Sequence, residues 1–198
     1  MSLRVACAYR TVSTGVAAVI AGMIPIDLKI EERNRIRAYR LEGEETEEAR
    51  ARARAETLQK WQERWERDPK GQWTHKLIQN VRGWVNRKEG ETEYETTQFL
   101  TGHGNFGTYL HRIGKKPNDL CLYCEARDSP EHTMFECDRW TRERQEINAI
   151  LGTVGTPENL IELITIDGKK WKRTMEKVKM IMKIKEQDYR AIETIERN

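Results

Sequence analysis

Four residues in the second half of the chain have the spacing of a metal site. Cys121-Leu122-Tyr123-Cys124 is followed by seven residues to His132 and four more to Cys137, a C-x2-C-x7-H-x4-C pattern. Zn2+ takes four tetrahedral ligands from thiolate sulfur and imidazole nitrogen. Two cysteines two residues apart clasp one edge of the ion through a tight turn. A histidine and a cysteine from the following turn of helix supply the other edge. With all four positions filled by protein, the pattern predicts one structural Zn2+ and no open position for a catalytic water. Unligated thiols in a small core are the alternative. A loop this short buries little apolar area, so binding the metal is what folds it. Cys7 lies far from the cluster and reads as a small core residue. Cysteines clustered beside a histidine point to a reducing compartment rather than to a secreted disulfide framework.

No other motif supports chemistry. The seven aspartates are Asp27, Asp68, Asp119, Asp128, Asp138, Asp167 and Asp188, and no two are adjacent. Two-metal polymerases and nucleases need carboxylates arranged to hold divalent ions. The chain has no glycine-rich phosphate loop, no H-E-x-x-H and no Ser/His/Asp pattern. Gly102-His103-Gly104 offers an imidazole without an oriented partner, and reads as a capped turn between helices. No residue of this chain is therefore expected to be catalytic.

The elements that must hold the cluster are helices. Of 198 residues 34% are charged and only 37% hydrophobic, below the usual share of roughly 45–50%. That balance predicts helices with wide solvated faces rather than one thick core, and six Trp, six Tyr and three Phe exclude a fully disordered chain. No apolar run approaches the ~20 residues that span a bilayer. Val16, Val19, Ile20 and Met23 have helical spacing, so the run around them reads as an amphipathic helix rather than a signal peptide. Ser13 caps that helix and Gly22 ends it. Pro25 opens a second helix carrying Ile26, Ile30, Ile36 and Tyr39. Thr46 to Arg67 follows without Gly or Pro, with Leu58, Trp61 and Trp65 on one face. Leu77, Val81 and Trp84 form another face. Tyr94 to Leu100 and Phe106 to Ile113 read as short helices, and Trp140 to Leu151 as a longer one. Thr156-Pro157 marks a helix start. The last helix runs from Lys169 with Trp171, Met175, Val178 and Met182 along one side. The fold class is mainly α: several short-to-medium helices with a small CCHC zinc-knuckle loop.

Charge is distributed unevenly. Glu31 to Lys70 holds 11 positive and 11 negative side chains, a solvated and self-compensating stretch. Asp119 to Asp138 has six acids and one base, Arg127, so the metal loop by itself is a poor phosphate binder. Tyr123 and Phe135 in that loop can stack on bases or pack around the metal. Lys169 to Lys185 has eight bases and one acid, placed on the polar side of the last helix. A basic face of this kind either lies along a phosphate backbone or is simply solvated. His111, Arg112, Lys115 and Lys116 precede the metal loop. The nucleic-acid candidates are therefore His111, Arg112, Lys115, Lys116, Tyr123, Lys169, Lys170, Lys172 and Arg173.

Four blocks of sequence together resemble the C-terminal part of the Pol polyprotein of non-LTR (LINE-type) retrotransposons, most of all the insect type-1 elements that insert into ribosomal DNA. The first is Ala8-Tyr9-Arg10-Thr11-Val12-Ser13 running into Ile20-Ala21-Gly22-Met23-Ile24-Pro25-Ile26-Asp27-Leu28. The second is Trp61 and Trp65 with Gly71-Gln72-Trp73-Thr74. The third is Gln98-Phe99-Leu100-Thr101-Gly102-His103-Gly104 with Phe106, Tyr109 and Leu110. The fourth is Cys121, Cys124, His132 and Cys137 followed by Asp138-Arg139-Trp140 and Arg144. The resemblance implies a parent RNA-directed DNA polymerase with an endonuclease, acting by target-primed reverse transcription, and a chain that starts after the catalytic aspartates. Only the four zinc ligands have matching positions. It implies a remnant of the region after the reverse transcriptase over 1–41, a charged helix or linker over 42–71 and a helical subdomain over 72–118. The CCHC knuckle and its following helix then occupy 119–151, and a basic helical segment 152–198. The expected partners are RNA or DNA, the remainder of the polyprotein and a second copy of the chain, with no membrane. The expected location is nuclear or cytoplasmic, not secreted. The alternative role is a packing or dimerisation module using the Trp61/Trp65 face, or a truncated relic without function.

Overall fold

Helix signals in the sequence become eleven α-helices in the structure, a computed structural model that describes residues 2–87, 90 and 92–196. They are α1 (Ser2–Val5), α2 (Thr14–Ile20), α3 (Ile26–Leu41), α4 (Thr46–Arg67), α5 (Gln72–Leu77), α6 (Val81–Val85), α7 (Tyr94–Thr101), α8 (Gly107–Arg112), α9 (Thr141–Leu151), α10 (Leu160–Thr165) and α11 (Gly168–Glu196). The protein is 67% helical and no strand forms among the described residues. No helix among them is long and apolar enough to cross a membrane.

Local chemistry sets the ends. Ser13 caps α2 by accepting the Val16 N–H at 3.3 Å. The face of Leu77, Val81 and Trp84 is interrupted because the Asn80 side chain accepts the Gly83 N–H at 2.9 Å and starts α6 afresh. The start expected at Pro157 moves to Leu160. Thr156 and Asn159 bond each other's backbone N–H reciprocally, at 2.8 and 3.3 Å, and hold a turn ahead of the helix.

Helices α3 and α4 form an antiparallel hairpin. Its charges pair across the two helices as well as along them: Arg64 with Asp27, Lys60 with Glu31, Arg35 with Glu56 and Arg54 with Glu32. Such surface pairs are each worth about 0–1 kcal/mol, so apolar burial holds the hairpin to the rest.

One contiguous apolar cluster runs from Ala6 to Met182 through every part of the chain. The composition predicts a thin core, and tryptophan is the reason for the difference. Trp61, Trp65, Trp84, Trp140 and Trp171 are all buried, and each indole covers a large area. Three indoles also tie elements together by donating to distant carbonyls: Trp65 Nε1 to Ile78 at 2.7 Å, Trp84 Nε1 to Val19 at 2.7 Å and Trp73 Nε1 to Phe99 at 2.6 Å. Trp61 and Trp65 are each only 2% exposed, and what they show to solvent lines a groove between α2, α3 and α4. Cys7 is exposed, not in the core; Ala6 takes the buried position beside it.

Candidate metal centre

The loop from Leu120 to Cys137 is built by backbone chemistry before any ligand is considered. Leu120 bridges Arg127 in antiparallel fashion, and the Cys121 N–H reaches the Ala126 carbonyl at 2.7 Å. Between them Glu125 takes a left-handed conformation, φ 60°, so the chain reverses within a few residues of Cys121 and Cys124. Ser129 Oγ accepts the His132 N–H at 2.9 Å and opens a wide helical turn over His132–Glu136. Its closing bond, Cys137 N–H to the His132 carbonyl at 2.8 Å, spans five residues and returns Cys137 toward the first two cysteines. Arg144 holds the other side of Cys137 by donating to its carbonyl at 3.0 Å.

Cys121, Cys124, His132 and Cys137 converge so that their ligand atoms all lie within 4.8 Å of one another. Cys137 Sγ is 3.9 Å from both Cys121 Sγ and Cys124 Sγ. Tetrahedral bonds of about 2.3 Å from Zn2+ to sulfur give sulfur–sulfur edges of roughly 3.8 Å. The spacing therefore suits sulfurs around an ion and excludes a disulfide. His132 Nε2 faces Cys124 Sγ at 3.2 Å, while His132 Nδ1 lies 3.5 Å from the Glu136 carboxylate. A carboxylate on the far ring nitrogen is how a ligating histidine is held in orientation. Burial pushes the Cys121 thiol up in pKa, and burial with the neighbouring thiols pushes Cys137 up to about 12. Two such buried sulfurs become thiolates together only beside a cation. The set fits Zn2+ held by these four side chains.

A second feature anchors this loop, and sequence reasoning missed it. Asp128 is 0% exposed and Lys185 1% exposed, and the two form a buried ion pair. Asp128 also accepts the Tyr189 hydroxyl and the Gly107 N–H, each at 2.6 Å, and the Thr133 hydroxyl at 3.1 Å. Lys185 donates to Thr133 Oγ1 at 2.7 Å. Burial and the Asp128 carboxylate push the Tyr189 phenol far up, so it stays protonated as a donor. One carboxylate thus joins the metal loop, α8 and α11. The available signal was the heptad of α11: Trp171, Met175, Val178, Met182, Lys185 and Tyr189 fall on one stripe. A lysine on an apolar stripe requires a partner.

The nucleic-acid candidates differ in how they are held. On α11, Lys169, Lys172 and Arg173 are exposed, but Lys170 donates to the Leu151 carbonyl at 3.1 Å. The expected basic face further along is engaged internally: Lys177 with Glu146, Lys179 with Glu93, Lys183 with Glu95 and Lys185 with Asp128. His111, Arg112 and Lys115 are exposed at the end of α8. Lys116 bonds the Leu120 carbonyl and the Tyr189 hydroxyl, at 3.0 and 3.3 Å. For Tyr123, open between base stacking and packing, the structure shows packing contacts. Its ring packs edge-on against Trp140 and its hydroxyl donates to Asp188 at 2.6 Å. Phe135 packs toward Trp73. Tyr123→Phe is expected to cost about 1.5–3 kcal/mol, the range of a hydrogen bond to a charged acceptor. Nucleic-acid affinity should stay unchanged, and urea unfolding beside an oligonucleotide titration reads both.

Comparison with known proteins places this site in context. Over 174 residues the chain is 29% identical to the Retrovirus-related Pol polyprotein from type-1 retrotransposable element R1 4 of Nasonia vitripennis, covering 79% of this chain and 44% of that protein. It is 27% identical to the R1 2 element's Pol polyprotein from the same organism, over 66% of this chain and 36% of that protein. With the R1 Pol polyprotein of Bradysia coprophila the identity is 28%, over 65% of this chain and 14% of the relative. The chain is a homologue of non-LTR retrotransposon Pol polyproteins. It spans less than half the length of these Pol relatives. No protein-family model and no solved structure matches it.

Proposed function

We propose that this chain is a zinc-binding, nucleic-acid-binding segment of a retrotransposon Pol polyprotein. It engages template RNA or target DNA while the remainder of the polyprotein, an RNA-directed DNA polymerase with an endonuclease, performs target-primed reverse transcription. The observation that carries the reading is the convergence of Cys121, Cys124, His132 and Cys137 in a homologue of Pol polyproteins. The ion would be held by these four side chains and would supply folding energy to the loop. The exposed cations at the end of α8 and the start of α11 would meet phosphates. The direct test is anisotropy of labelled single-stranded RNA and DNA with the zinc-loaded chain across a salt series. Binding should weaken linearly in log–log form as salt rises, and should drop when the metal is stripped. Binding that ignores salt sinks the reading.

A second reading, a module that packs against another part of the polyprotein, draws on one observation. A groove of about 960 Å³ between α2, α3 and α4 is lined by Ala18, Met23, Ile24, Pro25, Ile26, Trp61 and Trp65 with a charged rim of Asp27, Lys29, Arg54 and Arg64, and Ile26 is 73% exposed at its edge. Under that reading the chain alone self-associates through this groove and binds nucleic acid only weakly.

A further inference from the structure

We propose that a cleft beside the metal loop receives the sugar–phosphate backbone of a single nucleic-acid strand. The inference rests on the nucleic-acid reading above and assigns it a place. The cleft has a volume of about 560 Å³ and opens between the start of α2, the start of α5, the Gly102-His103 turn, α8 and the metal loop. Its lining includes Lys70, Arg112 and Arg127, and no Asp or Glu. In a chain with 32 acidic residues, that composition marks the cleft out electrostatically.

The cations differ from those of α11 in how they are held. Lys177, Lys179, Lys183 and Lys185 each face a carboxylate. Among the described residues Lys70 and Arg112 form no ion pair, and Arg127 pairs with Asp119 at 3.0 Å, a residue outside the lining. Arg112 is positioned by neutral groups alone. Its guanidinium donates to His103 Nε2 at 3.3 Å and lies 5.3 Å from the centre of the Tyr109 ring. His103 Nδ1 lies 2.9 Å from the Thr101 carbonyl, which can only accept, so the proton sits on Nδ1 and Nε2 is the acceptor. Burial lowers the His103 pKa and favours this neutral form. Arg112 is thus oriented in advance without losing its charge, the condition under which a guanidinium binds phosphate best.

The walls are preformed. Gly71 and Gly102 both have left-handed backbones, φ 77° and 68°. A Cβ on Gly71 would meet Val16 at 2.2 Å, and one on Gly102 would meet Pro130 at 3.2 Å and Trp73 at 3.3 Å. The volume is that of a small-ligand pocket, which admits one strand rather than a duplex. Half-buried Trp73 offers an aromatic surface for a base. Arg127 and Pro130 belong to the metal loop, so one wall of the cleft depends on the zinc-held fold.

The test uses the full zinc-loaded chain with fluorescein-labelled oligo(U) and oligo(dT) across a KCl series. Lys70→Gln/Arg112→Gln should lower affinity about tenfold and reduce the log–log salt slope by about 1.4, at roughly 0.7 per lost phosphate contact on a single strand. Lys70→Gln alone, at an exposed position, should reduce it by about 0.7 and guards against misfolding of the double variant. Arg112→Lys should retain the slope. Equal falls on RNA and DNA mark the phosphate as the recognised group, and a fall on one alone overturns backbone recognition. If wild type binds both oligomers but the slope falls only with Lys169→Gln/Arg173→Gln, the cleft is wrong and the nucleic-acid reading stands. If wild type binds neither oligomer at low salt, both fail.

Discussion

Lys185→Met should destabilise the protein by about 3–5 kcal/mol, the cost of leaving one partner of a buried ion pair unpaired. Stabilities of whole domains run to about 5–15 kcal/mol, so a substitution far from any metal ligand should approach the limit of folding. Met preserves much of the side-chain volume, and the loss comes from the Asp128 carboxylate, which is 0% exposed and keeps only the Tyr189, Gly107 and Thr133 donors. Asp128→Asn should cost a similar amount by stranding the Lys185 ammonium. The double variant should cost less than the sum of the two, because neither charge is then orphaned. Urea unfolding of the zinc-loaded protein gives all three values. Additive losses would mean that the two groups act independently and that the pair does not link α11 to the metal loop.

That pair also explains where sequence reasoning reached and where it stopped. Helix α4 was legible as a whole, Thr46–Arg67, because an Ala-, Arg- and Glu-rich run without Gly or Pro has one favourable local conformation. The metal ligands were legible because coordination chemistry restricts both residue type and spacing. Lys185 was not, because local charge density groups it with Lys169 to Lys183, whereas the heptad stripe places it among Met182 and Tyr189. Its partner lies 57 residues away in the chain, and no local rule connects them. Tyr123 was ambiguous for the same reason. An aromatic in a metal loop suits a base or a core equally, and its contacts with Trp140 and Asp188 come from tertiary structure alone. The phosphate cleft gathers Lys70, Arg112 and Arg127 from three segments, so charge counting along the chain dispersed the site that folding assembles.

Stripping the metal, or replacing Cys137 with Ser, should unfold the loop from Leu120 to Cys137 while leaving the α3–α4 hairpin intact. Apparent binding free energies of structural zinc sites are about 10–16 kcal/mol in small metal-folded domains, and in this loop the Asp128–Lys185 pair is the other main anchor. Its buried side chains are Cys121, Asp128, Pro130, His132, Thr133, Met134 and Cys137, so three of the seven belong to the Cys/His cluster. Without an ion, burial keeps the Cys121 and Cys137 thiols protonated and the four side chains lose their common centre. The α3–α4 hairpin has no such dependence, because Leu58, Trp61 and Trp65 bury their surface against the core. Hydrogen exchange before and after chelation distinguishes the two regions. Amides over 120–137 should lose protection first. The turn of α11 around Lys185 and Tyr189 should follow, because Asp128 enters its buried site only when the loop is closed. Amides of α4 should keep their protection. Full protection of 120–137 in metal-free protein would overturn the zinc assignment. Loss at 120–137 with an unchanged α11 would keep the zinc and remove Asp128 as the link between them.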